Sequence, residues 1–113
     1  MSDFALFYRG REHFESPSEG QKHFEKWVDW FESLRTKGVL KNQGHPLEGT
    51  GKVLRGSAKT INDGPFSEAK DVIGGFSIVE AGSLEEAASF ASGCPILEVG
   101  GSVEVRPIQT LRM

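Results

Sequence analysis

Val72–Gly93 reads VIGGFSIVEAGSLEEAASFASG, and its two halves follow different periods. From Phe76 to Ala81 the side chains alternate, with Phe76, Ile78 and Glu80 on one side and Ser77, Val79 and Ala81 on the other. A period of two with apolar groups on both faces marks a β-strand. At Gly82-Ser83 the pattern changes. Ser83 and Glu86 make a capping box, Leu84, Ala87, Ala88 and Ala91 recur at helical spacing, and Gly93 stands where a helix stops. The alanines of that inner face let the helix lie close to a sheet. Gly74-Gly75 at the strand's start predicts a bulge or a close approach of another backbone segment.

The first third of the chain follows the same strand-then-helix plan. In DFALFYRG, Phe4, Leu6 and Tyr8 alternate with Ala5, Phe7 and Arg9. After a polar loop, Ser16 caps, Pro17 suits the first helical position and Glu19 completes a capping box. The spacing predicts a helix to about Lys37, stopped by Gly38. Its inner stripe is read as Phe24, Trp27, Val28, Phe31 and Leu34, bordered by Trp30, with His23 on the edge between the two tryptophans. VLKNQGHPL then begins as a strand and turns at Gly44-His45-Pro46. KVLRG and AKTIN read as a hairpin around Gly56-Ser57. SVEVRPIQ closes the order, with Val103 and Val105 on one face and Ser102, Glu104 and Arg106 on the other.

The order is β-α-β-(hairpin)-β-α-β, the ferredoxin-like split βαβ plan of an α+β domain. Two helices cover one face of its antiparallel sheet. Apolar side chains on the other face then need a cover of their own. A second copy is the simplest one, giving a homodimer with sheets face to face around a barrel-like space.

At 113 residues the chain forms a single domain over 1–113. A net charge of −3 with no basic cluster excludes nucleic acid as a partner. No apolar run reaches the length of a membrane span, and MSDFALFYRGRE has none of the parts of a secretory leader. Cys94 is the one cysteine, so no internal disulfide forms, and its spacing to the histidines fits no zinc motif. These features point to a cytosolic protein. The paired glycines at 74–75 and 100–101 build no phosphate loop or dinucleotide fingerprint, so no cofactor is expected.

Asp63-Gly64-Pro65-Phe66, then Glu68 and Lys70, Gly74-Gly75-Phe76, Gly93-Cys94-Pro95 and Gly100–Pro107 stand in one order. Together they resemble the YCII-related family in its DGPF-motif branch. The resemblance is close over about Gly38 to Ile108 and looser before it. It implies a ferredoxin-like domain that pairs into a dimeric α/β barrel. It also implies small-molecule enzymes with a His-Asp pair at a cleft, one relative being a dehydrochlorinase of chlorinated hydroquinones, or an association with sigma-factor-like regulators. This sequence departs from the pattern: Trp27 stands where the helical His is expected, and His23 lies one turn earlier.

Several residues have both a structural and a chemical reading. The DGPF stretch is a turn explained by Gly, Pro and Phe, or it presents the Asp63 carboxylate to a cleft. His45 is a surface loop residue, or the general base oriented by Asp63. His23 is an edge residue packed between tryptophans, or the second acid-base candidate. Glu68 and Lys70 solvate a loop or line the mouth of the site. Arg106 pairs with Glu104 at an interface or holds a substrate carboxylate. His13 is expected in solvent, and Cys94 as a small buried residue, because a helix C-terminus does not activate a thiol. Two functions follow: a cofactor-free isomerase, lyase or hydrolase acting on a small molecule, or a non-catalytic dimeric module that binds a ligand or regulator.

Overall fold

The computed structural model describes residues 1–64 and 72–111. Pro65, Phe66, Glu68 and Lys70, the second half of the DGPF reading and the two charges that follow it, lie outside the described residues. The elements are β1 (Ser2–Arg9), α1 (Pro17–Thr36), β2 (Leu40–Asn42), β3 (Lys52–Arg55), β4 (Thr60–Asp63), β5 (Ile73–Ala81), α2 (Leu84–Ala91), a 3-10 turn (Pro95–Val99) and β6 (Ser102–Pro107). Four strands form one antiparallel sheet in the order β2-β5-β1-β6. This is the ferredoxin-like arrangement expected from the element order. β3 and β4 stand apart as a two-stranded hairpin. Its loop is longer than a tight Gly56-Ser57 turn: Gly56 and Lys59 both take positive φ, and Lys59 N–H donates to Gly56 C=O.

Alternation assigns the two faces of the sheet. Phe4, Leu6 and Tyr8 of β1 and Ser77, Val79 and Ala81 of β5 are buried beneath the helices. Register places Phe4 opposite Val79 and Leu6 opposite Ser77 on that face. On the other face Phe7 opposes Phe76 and Ala5 opposes Ile78, all half-buried. No helix among the described residues covers this second face, as expected from a plan with two helices.

Both capping boxes form. Ser16 Oγ accepts from Glu19 N–H and Ser83 Oγ from Glu86 N–H. The returning carboxylates reach one residue further out than the cap, to the N–H of Glu15 and of Gly82. Gly38 ends α1 with φ +74°, and its N–H closes on Arg35 C=O.

The rotation of the helices differs from the expected stripes. His23, Trp30 and Leu34 are the buried residues of α1, while Phe24 is 59% and Val28 46% exposed. Apolar side chains span about 160° of this helix at 100° per residue, wider than one stripe, so several stripes compete. Trp30 wins the inner position because Gly93 leaves room for it: a Cβ at Gly93 would stand 3.3 Å from the indole. On α2, Ala87 and Ala91 face the sheet, and Leu84 and Ala88 turn outward.

The glycine pair at the start of β5 serves the close approach expected of it. The chain at Gly44-His45-Pro46 lies along β5, with Pro46 bridged to Gly75 and Leu47 N–H donating to Gly74 C=O. A Cβ on Gly75 would meet His45 C=O at 3.1 Å. The ladder between β1 and β5 also shifts register at this point, between Tyr8 and Arg9.

Candidate functional site

Beside the first turns of α1, the loop that follows β1 brings Glu12 onto the buried ring of His23. The loop leaves β1 through Gly10 at φ +124°, tied by its N–H to Val72 C=O. Phe14 folds back over Gly20 and packs against the His23 ring, centroids 5.0 Å apart. Glu12 Oε2 then lies 2.8 Å from His23 Nε2. The same oxygen accepts the Trp27 indole N–H at 2.9 Å.

A carboxylate only accepts, so the proton of the neutral imidazole sits on Nε2. Every buried side-chain nitrogen and oxygen among the described residues has a partner. Nδ1 of His23 makes no hydrogen bond to any of the described residues, so it is the ring nitrogen left for solvent or a ligand. The His23 side chain is 8% exposed and that of Glu12 31%. The arrangement is a held imidazole with one nitrogen committed to a carboxylate and the other open as a base.

Edge-to-face aromatic contacts hold Trp27, the second donor to Glu12. Trp27 meets Tyr8 at 4.9 Å and Trp30 at 5.9 Å between centroids. The Tyr8 O–H donates to Ser77 Oγ at 2.7 Å, and Ser77 O–H donates to Gln43 C=O. Burial pushes the Tyr8 phenol well above its ordinary range, against the opposing hydrogen bond to Ser77. Tyr8 therefore remains a neutral donor that pins β1 to β5 and to the start of the His45 loop. Burial likewise pushes the Cys94 thiol up to about 12. This is the inert buried cysteine expected from its place after a helix.

The other predicted residues sit elsewhere. His45 is exposed on the loop along β5. Asp63 is 89% exposed on its side chain and pairs with Lys52, its cross-strand neighbour in the hairpin. No hydrogen bond or ion pair joins His45 to Asp63 among the described residues. Arg106 lies on the uncovered sheet face, 3.9 Å from Glu104, which also binds Arg9 at 3.2 Å. Glu68 and Lys70 lie outside the described residues. A shallow groove beside Trp30 and Cys94, crossed by the Lys26–Glu98 pair, does not include His23.

Sequence reasoning singled out His23 but missed Glu12 as its partner. The only local signal is a run of charged residues, Arg11-Glu12-His13, in a loop short enough to fold back on the helix. Trp27 was legible as an apolar stripe residue, and its N–H donor role was not.

An antiparallel four-stranded sheet under two helices, with a carboxylate-held histidine at one end, defines an α+β domain of the ferredoxin-like class. The model of the YCII-related domain matches residues 3–112. The chain belongs to the YCII-related domain family. Among proteins of curated function none matches. A similar solved structure is 5-chloro-2-hydroxyhydroquinone dehydrochlorinase from Burkholderia phenoliruptrix AC1100, in complex with 2,5-dihydroxybenzoquinone. It shares 22% identity over 95% of this chain and 93% of that chain, with a TM-score of 0.53. At that identity the likeness carries the fold alone.

Proposed function

We propose that this protein is a cytosolic, homodimeric enzyme that performs cofactor-free acid-base chemistry on a small molecule, in an isomerisation, elimination or hydrolysis. One observation carries the reading: His23 is buried and held through Nε2 by Glu12 at 2.8 Å, with Nδ1 unbonded among the described residues. In this role His23 takes the substrate proton and Glu12 orients the ring and stabilises its charged form. His45 and Asp63, exposed and apart, are second in line. Arg106, on the opposite, uncovered face of the sheet, is the candidate for an anionic group of a ligand bound between paired sheets rather than at His23. A dehydrochlorination is an elimination in which a base removes a proton as chloride departs. The structural neighbour is named for a reaction of that class.

The test is turnover of chlorinated and unchlorinated hydroxyhydroquinones, followed by chloride release and quinone absorbance. His23→Ala is expected to lower kcat/KM by about 10²–10⁴-fold and Glu12→Gln by at least about tenfold, with His45→Ala near wild type. A His23→Ala variant that retains full turnover sinks the assignment.

A further inference from the structure

The indole of Trp27 has a polar contact that packing does not require. Its N–H and the Nε2–H of His23 converge on a single oxygen, Glu12 Oε2, at 2.9 and 2.8 Å. Glu12 sits on a loop and is partly exposed, so a lone contact to His23 leaves its carboxylate free to turn about its side-chain torsions. Two donors from different turns of α1 remove that freedom. Trp27 is itself held by its edge-to-face contacts with Tyr8 and Trp30. The hydrogen-bond chain from Tyr8 through Ser77 to Gln43 fixes Tyr8 in turn.

We propose that Trp27 is a positioning residue of the His23 site: its indole N–H clamps Glu12 so that the carboxylate holds His23 through Nε2 and leaves Nδ1 open as the base. The proposal rests on the acid-base reading above. It assigns to Trp27 a task distinct from core filling. Trp30 is the natural comparison, since it is the more buried of the two and donates its N–H to Phe90 C=O, away from Glu12.

The experiment uses the full chain and needs no substrate. Nitrogen-edited NMR follows the His23 ring, with the Nε2–H signal assigned by its loss in His23→Ala. Solvent exchange of that proton reports how firmly Glu12 holds it. Trp27→Phe keeps an aromatic ring and removes the donor. It is expected to speed exchange of the His23 Nε2–H by about tenfold or more, the worth of one charge-assisted hydrogen bond. Trp30→Phe is expected to leave that exchange within about twofold of wild type while lowering the melting temperature more. Should Trp27→Phe fail to fold, Trp27 replaced by benzothienylalanine, the same shape with sulfur in place of N–H, makes the same test. Unchanged exchange in the folded Trp27 variant overturns the proposal. Faster exchange in both tryptophan variants overturns it too, because general loosening would then be the cause. Turnover of His23→Ala tests the acid-base reading separately, so the two fail in different measurements.

Discussion

Cys94 and Tyr8 carry the largest ionisation shifts, and in both burial is the largest cause. Each holds its proton longer in the folded chain than in the unfolded one. Their contribution to stability is therefore complete below the unfolded values, 9.0 for the thiol and 10.0 for the phenol, and is lost as pH rises toward the folded ones. The melting temperature is expected to fall from about pH 9 upward, the pH at which an unfolded thiol begins to ionise. Cys94→Ala should flatten the first part of that decline, whatever it does to the melting temperature at pH 7. An identical slope in the variant would place the alkaline sensitivity elsewhere. In the native protein at pH 8, iodoacetamide should label Cys94 far more slowly than in urea. His23 and Glu12 show the limit of reading residues one at a time. Eleven positions separate them, one on a loop and one on a helix. No spacing rule links a loop residue to a helix face.

The strands, helices and caps follow from local pattern, and nearly all were legible. Alternation marked β1 and β5, and serine with glutamate three residues on marked both helix starts. The paired glycines at 74–75 announced the close approach of the His45 loop, and Gly44 completes it from the other side. A Cβ at Gly44 would stand 1.8 Å from Phe76 C=O, on a residue with φ +69°. Gly44→Ala should therefore cost roughly 2–5 kcal/mol in urea unfolding, combining backbone strain with a clash. Gly38 has a similar φ of +74° with nothing within 4 Å of its Cβ position. Gly38→Ala should cost only about 1–2 kcal/mol. Equal losses at the two sites would show that dihedral strain, not the contact with β5, governs Gly44. The rotation of α1 was not legible. Its apolar residues define several overlapping stripes, and packing against Gly93 and Tyr8 selects the one that exposes Phe24 and Val28.

The domain as a unit is flat, 49 × 44 × 18 Å, as two layers should be. Its accessible surface is 8071 Å². A compact monomer of 12.4 kDa exposes about 6,100 Å² by the usual scaling. The surplus accords with a projecting hairpin, where Leu54 and Ile61 are 60% and 61% exposed, and with a sheet face that no helix among the described residues covers. Phe7, Phe76, Ala5 and Ile78 form the apolar centre of that face. The Lys41–Glu80 and Arg9–Glu104 pairs flank it. An apolar centre with a charged rim is the pattern of a two-fold interface. The proposed homodimer buries this face, at about 800 Å² per partner for an ordinary interface. Ile78→Asp should then give a folded monomer in sedimentation at concentrations where the wild type is a dimer. A wild type that sediments as a monomer at high micromolar concentration refutes the pairing.

Periodicity, capping and turn chemistry act between residues a few positions apart, so the chain's order of elements, its layered class and its family signature were open to direct reading. The path of a loop and the rotation of a helix depend on contacts between distant segments, where many weak packing terms compete. Those terms set Trp30 inward, carried Glu12 to His23, and left His45 and Asp63 on separate exposed segments. The same local rules that predicted the sheet could not say at which end of it a histidine would meet a carboxylate.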